Sequence, residues 1–300
     1  MRKLSSVSLS TCRNSLTLGL AALLGGFIAL GSTVIAAGQA ADKPAADKPA
    51  ADKAIDKSAA DKPAHKAAEK KPPIHPEADR ILRETSSKLA AAKALSFKAD
   101  VWEDNVLGNH KISTSKTVEV RLRRPDRVQV EVRSPSRSRG FWYDGSSLTL
   151  LNRVKNLYGS VPAPETIDKV IDAANDKYGV SFPLEDFLVS DPYNSAKTDI
   201  KGAAYFGKAN ILGTPCRHVA FSTEVVDCQL WVSDDTKLPR KYVITYKDED
   251  AAPQVTALFD KWDLNSQFSD ETFVFSPPKG ASKIKVSPRE APILQPTGRN

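Results

Sequence analysis

The chain has little sulfur. Of its 300 residues one is methionine, Met1, and three are cysteine, Cys12, Cys216 and Cys228. No Cys-x-x-Cys occurs, which argues against thiol redox chemistry. The four histidines, His65, His75, His110 and His218, show no metal-ligand spacing to one another or to cysteine. There is no Gly-x-Ser-x-Gly, no His-Glu-x-x-His and no glycine loop for phosphate. Beyond the first thirty residues no apolar run approaches the roughly 20 residues of a spanning helix.

An excess of basic charge is missing where it would count. The whole chain carries +7, but residues 1–40 hold +3 and residues 41–71 hold +2, which leaves +2 for the rest. A nearly balanced body lacks the clustered basic face that phosphate backbones require, so nucleic acid is excluded as a partner.

What is present begins with an address. Arg2, Lys3 and Arg13 precede an apolar stretch from Leu16 to Leu30, and small residues follow at Ala36-Ala37-Gly38-Gln39-Ala40. This is the order of a secretory signal, residues 1–40, cut between Ala37 and Ala40. A retained anchor is the competing reading, but the run is short and broken by Gly25 and Gly26. The mature chain is expected to be soluble and periplasmic. Residues 41–73 repeat Asp-Lys-Pro at 42–44, 47–49 and 61–63. Almost nothing apolar is available there to offset ordering entropy, so a spacer is expected. A flexible tail is expected over 289–300.

The body, 74–288, opens with a helix: Pro76 and Glu77 suit a first turn, and Ile81, Leu82, Thr85, Leu89 and Ala92 share a face. The period then changes to two. Phe97, Ala99 and Val101 alternate with polar residues, as do Val118, Val120 and Leu122, then Val128, Val130 and Val132. Asp144-Gly145 marks a hairpin. Pro164 and Glu165 open a helical interlude with Ile167, Val170, Ile171 and Ala174 on its apolar face and Gly179 at its end. Phe182 to Leu188 reads as a second short helix. Strands resume at Ala203–Phe206, Cys216–Phe221, Cys228–Val232, Lys241–Tyr246, Val255–Trp262 and Thr272–Phe275. The class is α+β: about 11 antiparallel strands in one long curved sheet, with the N-terminal helix and the central insertion covering its concave face.

Cys216 and Cys228 are each six residues from Ser222, and a hairpin centred there sets them opposite each other. A disulfide is expected in an oxidising compartment, with two free thiols as the alternative. His218 faces away from Val219 and reads as a satisfied strand histidine. Trp231 falls on the face opposite Leu230 and Val232; it is either an exposed interaction surface or packed beneath a helix. Glu185-Asp186 and Asp248-Glu249-Asp250 read as solvated charge.

Several motifs carry a resemblance. Arg124-Pro125-Asp126-Arg127 lies between two strands. Tyr143-Asp144-Gly145 precedes Leu148-Thr149-Leu150. Leu238-Pro239-Arg240 precedes a strand, and Asn265, Phe273, Phe275, Pro277, Pro278 and Gly280 form a closing run. In this order they resemble the LolA-like superfamily of bacterial envelope lipoprotein carriers. Cys216-x-His218, Gln229-Leu230-Trp231, Leu238-Pro239-Arg240 and Ile244-Thr245-Tyr246 resemble the predicted periplasmic family of unknown function 2092, over roughly 77–288. The resemblance implies that the sheet is an unclosed antiparallel half-barrel plugged by helices, with a lid held by an arginine that no position in this sequence reveals.

These observations favour a non-catalytic carrier or chaperone for an apolar ligand, a lipid or a lipid-modified protein, with no cofactor and no metal. The inward sets Val118, Val120, Leu122, Val128, Val130 and Val132, with Ile167, Val170 and Ile171 as lid, either line a cavity or form a dry core. The lack of methionine in the mature chain weighs against a promiscuous carrier. The alternative is a filled module that docks an envelope protein, and a peripheral membrane contact fits either. A hydrolase would need a polar cluster inside the concavity.

Overall fold

The computed structural model describes residues 73–288 except Asn109. The expected export signal, most of the spacer and the tail lie outside the described residues. Among those residues no helix is long and apolar enough to cross a membrane.

Helix α1 spans Pro76–Ala91. Pro76 at its start forgoes no helical hydrogen bond, and the ring nitrogen of His75 accepts from the Glu77 amide at 3.1 Å. Glu77 and Asp79 oppose the positive helix end and Lys88 the negative one. Ala78, Ile81, Thr85 and Leu89 are buried.

The strands follow as β1 (Ala94–Leu107), β2 (His110–Arg123), β3 (Arg127–Arg133), β4 (Arg139–Tyr143), β5 (Ser147–Asn152) and β6 (Leu157–Pro162). The insertion holds α2 (Ile167–Tyr178), a single 3₁₀ turn (Glu185–Phe187) and α3 (Pro192–Lys197). Then come β7 (Gly202–Ile211), β8 (Thr214–Ser222), β9 (Val226–Ser233), β10 (Pro239–Tyr246), β11 (Gln254–Asp263) and the two-residue β12 (Ser282–Lys283). They form one open sheet of 12 strands, in the order β12-β6-β5-β4-β3-β2-β1-β11-β10-β9-β8-β7. Every pairing is antiparallel except β12 on β6. The expected half-barrel is therefore present, as a mixed sheet rather than a purely antiparallel one.

Three local expectations are corrected. Leu157–Pro162 is a strand that Gly159 and Pro162 conceal from a period-two reading. Thr272–Phe275 is not a strand. Thr272 and Val274 donate back to Ser269 and Glu271, so the chain turns and drives Phe273 into full burial. Phe182–Leu188 is not a regular helix but a strap that bends inward around its 3₁₀ turn.

The concave face follows from the register. Phe97, Val120 and Val130 are cross-strand neighbours, as are Ala99, Val118 and Val132. Helix α2 starts at its Thr166 cap and stops at Gly179, where φ is 62°. Its Ile167, Val170, Ile171 and Ala174 pack into the main core with these strands. Phe187 from the strap meets Phe259 and Tyr242 edge-on at 5.2 and 5.1 Å. The insertion thus serves as a roof, and the sheet ends beneath it.

The expected disulfide is absent: Cys216 and Cys228 are both free and buried. Residue pairs across β8 and β9 sum to 449, as in Cys216 with Ser233 and Phe221 with Cys228. The turn is centred between Glu224 and Val225, not on Ser222. The cysteines then lie five positions apart on the ladder, about 17 Å at the usual rise per residue. They also point to opposite faces, because residues of equal parity do so in this register. A disulfide needs Cα atoms within roughly 7 Å. Alkylation of the mature chain in denaturant without reductant is accordingly expected to add two labels; a mass showing none would place a bridge there after all.

Candidate functional site

Two cavities lie between the sheet and its roof, of about 430 and 90 Å³. The larger sits at the end of the half-barrel where β4, β5, β6, β10 and β11 meet the segment Tyr178–Asp186. Its wall is largely apolar, with Phe141, Leu150, Leu157, Val161, Ile244 and Phe182 among the lining side chains. Alternation puts Phe141 opposite Leu150, and Leu148 opposite Val161, on the inner face. Gly159 lets the C-terminal segment close the β6 side: a Cβ there would meet Val286 Cγ2 at 2.3 Å. The smaller cavity lies under α1 and α3, against Leu230, Phe221 and Tyr242.

Glu185 and Asp186 border both cavities. They are not solvated charge, as the sequence suggests, but part of the strap's inward bend. Glu185 is 7% exposed. Its carboxylate accepts from the Phe182 amide at 3.1 Å. Burial, with the Asp186 charge beside it, pushes its pKa up to about 8. Burial also raises Asp186, against a hydrogen bond from the Tyr242 hydroxyl at 3.1 Å. At neutral pH the Glu185 carboxyl is therefore mainly protonated. The thiol of Cys228, buried next to Tyr242, is pushed up to about 12 and is inert as a nucleophile.

The strap is latched at its far end. Arg124, in the β2–β3 turn, donates from its two terminal nitrogens to the carbonyls of Leu188 and Val189 at 3.0 and 2.9 Å. Asp168 on α2 accepts from the Ser190 amide at 2.8 Å and from its hydroxyl. Sequence reasoning placed Arg124 in a turn but missed this role, because its partners are backbone atoms 64 and 65 residues away.

The side chains picked out from the sequence divide. Val118, Val120, Leu122, Val128, Val130 and Val132 are at most 1% exposed and border neither cavity; they are packed core. Ile167 and Val170 are core as well, while Ile171 borders the smaller cavity. The lining comes instead from β4–β6, β10 and the strap. The apolar alternation of β5 was the available signal for it.

On the convex face Trp231 is half-buried, with Leu230 and Val232 buried behind it. Its ring stacks on His218 at 4.0 Å and an interplanar angle of 7°, and Phe206 stacks on the other side of that ring at 4.8 Å. Lys241 Nζ lies 4.7 Å over the indole. His218 is hydrogen-bonded to Gln229 at 3.1 Å, a satisfied strand histidine. Phe206 is 62% exposed. Among the described residues no group of three or more His, Cys, Asp or Glu is placed to hold a metal ion.

The model of a family described as predicted periplasmic protein (DUF2092) matches residues 78–287. The chain belongs to this family. The family is described as predicted periplasmic, as the expected export signal would also require, and the chain is assigned to the periplasm. No curated protein matches it. Among solved structures it is similar to LprF from Mycobacterium bovis, at 14% identity and a TM-score of 0.39, over 70% of this chain and all of that one. It is also similar to a LolA-superfamily protein from Nitrosomonas europaea, at 10% identity and 0.33, over 66% of this chain and 97% of that one. A third similar structure is the Pseudomonas aeruginosa MucA/MucB complex, at 13% identity and 0.38, over 67% and 61%.

Proposed function

We propose that this DUF2092 protein is a non-catalytic periplasmic carrier that holds the apolar part of a lipid or a lipid-modified protein inside its half-barrel. The cavity of about 430 Å³ carries this reading. It falls within the range of small-molecule sites, and its apolar wall would bind hydrocarbon by removing it from water. The wall offers no nucleophile with a base beside it. Glu185 is mainly protonated and Glu103 is paired with Lys116, which suits a container.

Filling the space tests the idea. Leu150 faces the void from β5, so Leu150→Trp places an indole where the ligand would lie. Native mass spectrometry of the mature wild-type chain, purified from periplasm without detergent, is expected to show an added mass that disappears on refolding. Leu150→Trp is expected to show a clean apo mass with a melting temperature near that of the wild type. A clean apo mass in the wild type, with no uptake of added phospholipid or acylated peptide, removes the carrier reading.

The convex stack of Phe206, His218 and Trp231 supports a second role, docking of an envelope protein on the outer face. Exposed aromatic side chains are over-represented at such surfaces. Crosslinking in periplasm from position 206 tests it, since loss of adducts in Trp231→Ala would tie the contact to the stack.

A further inference from the structure

Two cations in the cavity wall have no ion pair among the described residues; Lys155 is exposed, and Arg139 is not. Arg139 begins β4, directly across from Val132 and Asn152, and shares the inner face with Phe141. It borders the larger cavity. Its Nε is fully buried and has no hydrogen-bond partner, and among the described residues no ion pair joins Arg139 to a carboxylate. The nearest acid to act on it is Glu103, which is already paired with Lys116 on the same wall. Burial disfavours its charge, as does the neighbouring Arg137. Arginine nevertheless keeps its proton in proteins. The wall therefore holds a partly desolvated positive charge with no ion-pair partner of its own, an arrangement that is unfavourable until an anion arrives.

Position adds direction. Arg139 is the first residue of β4, beside the Ser134–Ser138 turn. Phe141 follows inward and touches Phe182 at 5.1 Å between ring centres, and the strap acids lie beyond. Along the wall the order is cationic at Arg139, apolar at Phe141 and Phe182, and acidic at the strap, where Glu185 is mainly protonated.

We infer that the ligand is an amphiphile with one anionic group, a carboxylate or a phosphate, held by the Arg139 guanidinium while its hydrocarbon chain lies along Phe141 and Leu150. This rests on the carrier reading and names its ligand class. The planar fork of arginine suits both head groups, because two N–H donors meet two oxygens.

Calorimetric titration of the detergent-free mature chain with decanoate, decyl phosphate and decanol separates the possibilities. Both anions are expected to bind at least about tenfold tighter than decanol, the scale of one charge-assisted hydrogen bond. Arg139→Gln should erase that preference and leave decanol unchanged. Because the guanidinium has no ion pair to lose, this variant should melt no lower than the wild type. Arg139→Lys, which keeps the charge, should retain part of the preference, and it carries the test if the glutamine variant does not fold. Either order of the two anions supports the inference and tells a carboxylate head from a phosphate one. Equal affinity for all three, or a preference that survives in Arg139→Gln, overturns the inference and leaves the carrier reading intact. No binding of any of the three removes the carrier reading itself. Competition by inorganic phosphate or acetate at the same concentration as the amphiphiles also overturns it, since the site would then take free anions.

Discussion

Replacing Glu185 by glutamine is expected to flatten the stability of this protein against pH. In the folded chain the Glu185 pKa is about 8, against an ordinary 4.5. A buried carboxyl binds its proton more tightly in the folded state than in the unfolded one. Below pH 4.5 both states are protonated and the group is neutral in the balance. Between 4.5 and 8 the unfolded state ionises first, so stability falls as pH rises, and above 8 it levels off. The shift corresponds to a loss on the order of 4 kcal/mol across that window. Asp186 beside it, Asp172 on α2 and the Tyr242 hydroxyl are the groups facing this site. Asp186 is raised too, so the pair titrates together and the variant keeps whatever slope belongs to Asp186. Glutamine preserves shape and an oxygen for the Phe182 amide. Urea denaturation at pH 4.5 and 8.5 checks this: wild type and Glu185→Gln should agree at the lower pH, and the variant should be the more stable at the higher. Parallel curves would show that Glu185 ionises normally and does not sit as described.

The second large effect is expected at the latch. Arg124→Ala removes two charge-assisted hydrogen bonds to adjacent carbonyls and strands those oxygens under the roof. At roughly 1.5 kcal/mol or more per such bond, a loss of about 3 kcal/mol is expected. The loss should be local as well as global. Amides from Val180 to Ser190 should exchange faster, while β2 and β3 keep their protection at conditions where the chain is folded. Arg124→Lys should rescue little, because a single ammonium cannot present two parallel donors to neighbouring carbonyls. Hydrogen exchange followed by peptide mass decides it; unchanged exchange in the strap, with an unchanged denaturation midpoint, would show that Arg124 holds nothing.

These two residues also mark where sequence reasoning stops. Arg124 was visible as part of a turn, and its partners were not, because a backbone carbonyl carries no sequence signature. Glu185-Asp186 looked like solvated charge because acidic pairs in loops usually are. Only the inward bend of the strap between α2 and α3 buries them. The lining residues show a subtler limit. Val118, Val120 and Leu122 and their partners on β3 alternate as clearly as Leu148 and Leu150 do. An inward apolar side chain reads the same whether its neighbour is another side chain or a void.

By itself the sequence determined what depends on neighbours along the chain. It set the switch from period 3.6 to period 2, the α+β class, the α1 start at Pro76, the α2 stop at Gly179, and the outward parity of His218 and Trp231. The family motifs added the compartment. Tertiary structure alone decided what depends on neighbours across the fold. The β8–β9 turn centre, displaced from Ser222, fixed a register that sends Cys216 and Cys228 to opposite faces. The approach of the strap to β4–β6 opened a cavity at one end of the half-barrel and packed solid core in its middle. It also left Arg139 facing that cavity without an ion-pair partner. Alternation is a property of a single strand, whereas register, voids and unpaired charges arise from how distant strands and loops meet.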